Sequence, residues 1–210
     1  MNLKNQEDWN TYKSDFEDYL LYTNEKGIFL NEIFKVINEN QVSTILDIGA
    51  GNGLLGISIS KKVNEYLAIE RSPIFVKELT TLGLKTLEAE FPINIDKKFD
   101  MVLVCHSLSY RTGVTSFLKK AWELVKPQGI LLLITFRTGT DINLQTAKDD
   151  WSNLMRAIGN IEEPNYKTVF KKIIGILTGF GNLEKTILDT TIKTPTLDSM
   201  LRSLTFFASK

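Results

Sequence analysis

The chain has 210 residues, 43% of them hydrophobic, which suits one domain with a substantial core. Lys+Arg and Asp+Glu each total 25, so the net charge is zero and no basic excess points to nucleic acid or an anionic membrane as partner. A single cysteine, Cys105, and a single histidine, His106, exclude an internal disulfide and argue against a metal site built from Cys and His.

The first predicted elements are two helices over residues 8–38. Trp9, Tyr12, Phe16, Tyr19 and Leu20 fall at helical spacing, as do Phe29, Leu30, Ile33, Phe34 and Ile37, with a break expected at Glu25-Lys26-Gly27. Strands are predicted at 44–48, 66–70, 85–89, 99–105 and 129–136, and helices between them at 53–63, 74–82 and 115–125. Gly83 marks the end of the 74–82 helix. Beyond Gly139 the regularity loosens: 151–158 and 166–177 read as helix, Gly179-Phe180-Gly181-Asn182 as a turn, and 183–193 as β-rich. Residues 197–207 read as helix followed by strand. Strands alternating with helices at this spacing imply right-handed βαβ units and a parallel sheet covered on both faces. The longest apolar stretch, 130–134 extended by Thr135 and Phe136, is far short of the roughly 20 residues a membrane span needs. The polar, acidic start (Met1-Asn2-Leu3-Lys4-Asn5-Gln6-Glu7-Asp8) is unlike a signal peptide, so a cytoplasmic location is expected.

The most informative stretch is Ile45-Leu46-Asp47-Ile48-Gly49-Ala50-Gly51-Asn52-Gly53. An apolar run ends in an acidic residue, and three glycines alternate with small residues before a helix. The glycines leave bare backbone for a ligand, and the acidic side chain and helix start are expected to face it. Leu54 puts the third glycine at the wrong spacing for the dinucleotide fingerprint Gly-x-Gly-x-x-Gly, and a pyrophosphate would be repelled by Asp47. A ligand with a cationic centre and no phosphate suits this loop better. Glu70 closes the next strand, 19 residues after Gly51, where a carboxylate can accept hydrogen bonds from both hydroxyls of a ribose. Pro127 and Gly129 in Lys126-Pro127-Gln128-Gly129 stop a helix and turn the chain into a buried strand. His106 lies just past a strand's carboxyl end and titrates near neutrality when unperturbed, so it is read either as a general base or as a loop histidine that shapes the pocket.

In their order these parts resemble the class I S-adenosylmethionine (SAM)-dependent methyltransferases, over about residues 40–137. The resemblance implies a Rossmann-like, doubly wound, mostly parallel sheet of seven-strand type, with helices on both faces and an N-terminal helical cover. It divides the chain into a cover (1–40), a SAM-binding core (41–137) and an acceptor-side part (138–210), all one domain. It assigns Asp47, Gly49, Ala50, Gly51, Glu70, Arg71 and Cys105 to the cofactor, with Glu70 on the ribose. Glu90 and Phe91 are expected at the adenine, although Glu88 also lies within reach of that position. His106 and Tyr110 would face the acceptor, and Tyr12, Tyr19 and Tyr22 would line its pocket from the cover. The segment His106-Ser107-Leu108-Ser109-Tyr110 is not the Asn/Asp-Pro-Pro-aromatic sequence of the branches that methylate base amines or glutamine amides. The pattern Tyr12-x3-Phe16-x2-Tyr19-Leu20, with that segment and Asp149-Asp150-Trp151, is loosely similar to the histamine methyltransferase branch; no substrate is assigned from it.

The expected activity is transfer of the SAM methyl group to an N or O nucleophile of a small molecule, leaving S-adenosylhomocysteine (SAH), with no metal. The alternatives are a methyltransferase acting on protein or RNA and a SAM-binding regulatory protein without catalysis, with a NAD-dependent oxidoreductase more distant. The final antiparallel hairpin of such a sheet would need 183–193 and 204–208 as its strands. Without it, exposed Phe206 and Phe207 would favour a homodimer over a monomer.

Overall fold

Apolar runs without alternation are what a parallel sheet buried on both faces requires. Five such runs form β1 (Thr44–Ile48), β2 (Glu65–Glu70), β3 (Thr86–Glu88), β4 (Phe99–Cys105) and β5 (Val125–Ile134). In the computed structural model, which describes residues 6–108, 113–135, 166–191, 193, 195 and 196, they make one sheet in the order β3-β2-β1-β4-β5. Every pairing is parallel. Both faces of the central strands are buried: Ile45, Met101 and Leu103 on one, Leu46, Ile48, Val102 and Val104 on the other.

The helices are α1 (Gln6–Tyr22), α2 (Glu25–Glu39), α3 (Gly56–Ser60), α4 (Pro73–Thr81), α5 (Val114–Glu123) and α6 (Tyr166–Thr178). Phe29, Ile33 and Ile37 of α2 and Ile59 of α3 share one buried cluster with Ile45, Met101 and Leu103. α4 shows its signals plainly. Ser72 caps it by accepting from the Phe75 amide, Pro73 opens it, and Gly83 at φ +76° lets the Leu84 amide return to the Leu79 carbonyl.

The chain divides into two compact units. One comprises Lys26–Thr135 and Ile173–Asp189 and contains the sheet. In it Phe180 stacks on Trp122 at 5.3 Å and Ile173 is buried. In the other, Trp9, Tyr12 and Phe16 form a chain of ring contacts along α1. There the α1–α2 junction is tied to the chain near its far end: the Asn24 amide donates to the Thr191 carbonyl, the Thr191 amide to Asn24 Oδ1, and the Lys193 amide to the Tyr22 carbonyl.

Four expectations need correction. The break between α1 and α2 falls at Thr23-Asn24 rather than at Glu25-Lys26-Gly27, because Thr23 Oγ1 accepts from the Glu25 amide and Asn24 is held by Thr191. α3 is five residues long instead of spanning 53–63: its interior is Ile and Ser, and Ser60 Oγ bonds back to the Ile57 carbonyl. A helix this short gives the loop no substantial N-terminal field. β5 begins at Val125, with Lys126–Gly129 bulging between its first and second pairings to β4. Finally, the sheet has five strands among the described residues, not seven. Residues 183–191 form no strand, and the backbone of the last of them, Thr191, pairs with Asn24 at the α1–α2 junction. The expected partner strand at 204–208, the helices at 151–158 and 197–207, and Phe206 and Phe207 lie outside the described residues.

Candidate functional site

In an open parallel sheet a ligand sits outside the carboxyl ends of the strands, where the strand order reverses. Here that point lies between β1 and β4. β1 leads into Gly49 at φ +75°, and the amides of Gly49 and Ala50 both donate to the Ile69 carbonyl, at 2.7 and 3.2 Å. A Cβ on Gly49 would lie 2.3 Å from Ser107 Cβ. Ser107 Oγ in turn donates to the Ile48 carbonyl. The ends of β1 and β4 are therefore latched directly onto each other, and only glycine fits the latch. Gly53, by contrast, is a packing glycine whose Cβ would meet Leu79 at 2.8 Å.

Glu70 ties β2 to this loop. Its Oε2 accepts from the Gly51 amide at 2.9 Å, and its Oε1 from the amides of Arg71 and Ser72 at 2.9 and 2.8 Å. The carboxyl is buried, which pushes its pKa up, while the three amides and the Arg71 charge pull the other way. A carboxylate offers about four lone-pair positions, so Oε2 retains capacity for a hydroxyl donor.

Asp47 lies on the face of β1 turned toward α2 and α3. Tyr66 sits on β2 beside Ile45, two positions earlier on that same face, and its Oη donates to Asp47 Oδ2 at 2.5 Å. Burial pushes the Asp47 carboxyl up to about 6; the Tyr66 hydrogen bond opposes the rise and the Glu70 charge adds to it. The Tyr66 hydroxyl is held well above its ordinary value by burial first and the Asp47 charge second.

Around this pair of carboxylates stand the other expected residues. Arg71 Nη1 reaches Glu90 Oε1 at 3.3 Å across the turns that follow β2 and β3, both side chains being exposed. Glu88 is the register partner of Glu70 at the end of β3. Phe91 turns inward and sets its ring edge-on to Phe117 at 4.9 Å. Cys105 ends β4 half-buried, and His106 follows at φ +53° with its amide on the Ile134 carbonyl. The His106 ring lies 5.2 Å from that of Phe29, with both ring nitrogens buried. Asp47, Gly49, Ala50, Gly51, Glu70, Arg71 and Glu90 thus gather at the ends of β1 to β3, with Cys105 and His106 just across the switch point. Tyr110 lies outside the described residues. Tyr12, Tyr19 and Tyr22 belong to the α1 unit, where Tyr19 is buried.

Ser107, Tyr66, Gly56 and Phe29 are site residues that sequence reasoning missed. Tyr66 carries a usable signal: a phenol inside an apolar strand needs a polar partner on its own face, and Asp47 qualifies once the register is known. A cavity of about 320 Å³ lies beside Ile57, Ser60, Lys61, Tyr66, Leu84 and Lys85. None of Asp47, Gly49, Gly51 or Glu70 lines it, so the chemistry rather than the cavity locates the site. Among the described residues, no group of three or more His, Cys, Asp or Glu is placed to hold a metal, and no helix is long and apolar enough to cross a membrane.

A 3-2-1-4-5 parallel sheet with a glycine loop after β1 and a buried acid ending β2 is a Rossmann-like nucleotide-binding fold. Residues 46–131 match the family model described as a methyltransferase domain. That match takes in the glycine loop and the strands around it, and the fold is the one seen in solved SAM-dependent methyltransferases. It is similar to a Methanococcus maripaludis protein assigned as a SAM-dependent methyltransferase, at 18% identity over 81% of this chain and 87% of that one, with a TM-score of 0.54. It is also similar to the N-methyltransferase NodS from Bradyrhizobium japonicum, at 15% identity over 71% and 79% of the two chains, TM-score 0.51. Streptomyces venezuelae DesVI matches at 14% identity over 54% and 52%, TM-score 0.49, so the chain spans about half of that protein's length. No curated protein matches the chain in sequence.

Proposed function

We propose that this protein transfers the methyl group of SAM to a nitrogen or oxygen nucleophile of a small-molecule acceptor. The observation that carries the reading is the pair of buried carboxylates, Asp47 and Glu70, flanking a glycine loop at the switch point. A phosphate-bearing dinucleotide would be repelled there; a cationic nucleoside is attracted. SAM when bound would supply an electrophilic methyl group on a sulfonium, with the neutral thioether of SAH as the leaving group.

The chain's own contribution is to hold and shield the reactants, which can supply roughly 7–11 kcal/mol of the barrier. Glu70 accepts from the ribose hydroxyls through Oε2. The backbone of Gly49, Ala50 and Gly51 lies against the ligand, with Asp47 beneath supplying negative charge. Glu90 and Arg71 border the adenine, Phe91 builds the floor under it, and Cys105 closes the wall from β4. His106 shapes the acceptor side by its ring contact with Phe29. The balanced charge, 25 against 25, supports a small acceptor over RNA.

Calorimetric titration with SAM and SAH, beside Glu70→Ala, tests the cofactor. Micromolar-range binding weakened at least tenfold by Glu70→Ala is expected, since a charge-assisted hydrogen-bond acceptor is lost. Absence of binding to the folded wild type would overturn the reading. Formation of SAH with a panel of small amines and hydroxyl compounds then separates catalysis on small molecules from action on protein or RNA, and from binding without turnover.

A further inference from the structure

We propose that Tyr66 is a positioning residue for the cofactor: seated in space left open by Gly56, its phenol holds the Asp47 carboxylate in the orientation and charge state that meet a cationic ligand. The inference rests on the SAM reading and deepens it.

Three observations meet at one point. Tyr66 Oη donates to Asp47 Oδ2 at 2.5 Å. A Cβ on Gly56 would lie 2.5 Å from that Oη and 2.9 Å from Cζ, so any other residue at the start of α3 would push the phenol off the carboxylate. Phe29, Ile33 and Ile59 share the buried apolar cluster with Tyr66, so a donor lost from Asp47 has no polar replacement on that side. Among the described residues, the titratable groups facing Asp47 are Tyr66 and Glu70 from β2, Cys105 from β4, and His106 on Phe29 beyond it; Phe29 and Ile33 of α2 and Ile59 of α3 are apolar.

The choice of donor matters. A lysine or arginine here would also keep Asp47 ionised, but its own charge would cancel the field a sulfonium or ammonium feels. A phenol donates a hydrogen bond and leaves the negative charge uncompensated. Tyr66 thus lets a buried acid stay charged and remain available as a charge.

The test is calorimetric titration of wild type, Tyr66→Phe and Gly56→Ala with SAM between pH 5 and 8. Methylthioadenosine, which lacks the amino-acid portion and the positive charges, is the control ligand. In wild type, SAM affinity follows ionisation of Asp47 near pH 6. Loss of the phenol donor moves that midpoint up by about one pH unit, so SAM binding weakens about threefold at pH 6.5 and converges with wild type by pH 8. Gly56→Ala, which keeps the phenol but displaces it, moves the midpoint the same way. Methylthioadenosine binding stays unchanged. If the wild type binds SAM but the variants weaken it by the same factor at every pH, or weaken methylthioadenosine equally, Tyr66 is only structural and this inference falls while the SAM reading stands. If the folded wild type does not bind SAM, both fall.

Discussion

Replacing Asp47 by Asn should make the protein more stable at neutral pH while weakening its hold on a cationic ligand. The native carboxyl titrates at about 6, against an ordinary 3.8. The native state therefore binds more protons than the unfolded chain between those values, and stability falls as pH rises through that window. Above pH 6 the charged Asp47 is a net cost of about 3 kcal/mol, from a difference of about two pH units at 1.36 kcal/mol each. Asn keeps an oxygen to accept from Tyr66 Oη but brings an amide NH₂ that needs a partner, so the expected gain is nearer 2 kcal/mol, about 4–8 °C in Tm for a chain of this length. Urea unfolding of both proteins from pH 4 to 8 measures it. The wild type should lose stability between pH 4 and 6, and the variant should lose less. Equal stability at pH 7.5, or parallel pH profiles, would refute the reasoning, because Asp47 would then be neither desolvated nor charged at a cost.

Gly49→Ala should destabilise the fold by more than 2 kcal/mol. A left-handed backbone costs a non-glycine residue about 1–2 kcal/mol, and the new Cβ sits 2.3 Å from Ser107 Cβ. Adding Ser107→Gly to the same chain should recover the steric part but not the backbone part in a denaturation cycle; no recovery would mean the latch is not where the strain lies. At the opposite end of the sheet, Lys126→Met should shift acid unfolding to higher pH. Burial raises the Asp100 carboxyl, but Lys126 and the Ser43 and Thr44 donors outweigh it and hold it below its ordinary value. That contribution is present above the ordinary carboxylate range and is lost as pH falls through the lowered native value. The pair is part-exposed, so screening limits the effect to about 1 kcal/mol or less, and acid titration followed by circular dichroism would show it.

Strands β1, β2 and β4, the helix α4 and the glycine loop were legible because their determinants are local: apolar runs, helical spacing, alternating glycines and Gly83 at a helix end. Asp47 and Glu70 were legible because strand ends are. Ser107, Tyr66 and Gly56 were not, since each acts through a contact that exists only once strands are in register: Ser107 meets Ile48 across 59 residues and Tyr66 meets Asp47 across 19. Residues 183–191 misled for the opposite reason. Thr186, Ile187, Thr190 and Thr191 carry β propensity, but propensity does not choose the partner, and the end of this segment pairs its backbone with a helix junction. The shortness of α3 follows from β-branched and serine side chains that an apolar period alone does not register.

Three carboxylates on one sheet show how far surroundings separate identical chemistry. Asp100, at the amino end, accepts from the Ser43 and Thr44 amides, Thr44 Oγ1 and Lys126 Nζ, and is pulled down. It joins the starts of β1, β4 and β5, and its charge is spent on doing so. Asp47 and Glu70, at the carboxyl ends, are pushed up. Glu70 is given three amides and Asp47 one phenol, enough to keep them oriented but with only Arg71, among the described residues, as a positive charge nearby, itself shared with Glu90. A latch alone would not require that arrangement, since neutral Ser107 latches the same loop with a hydroxyl. Two buried, under-compensated charges on either side of bare glycine backbone make sense where a positive, hydroxyl-bearing ligand completes the electrostatics, and the fold places that vacancy of charge at its switch point.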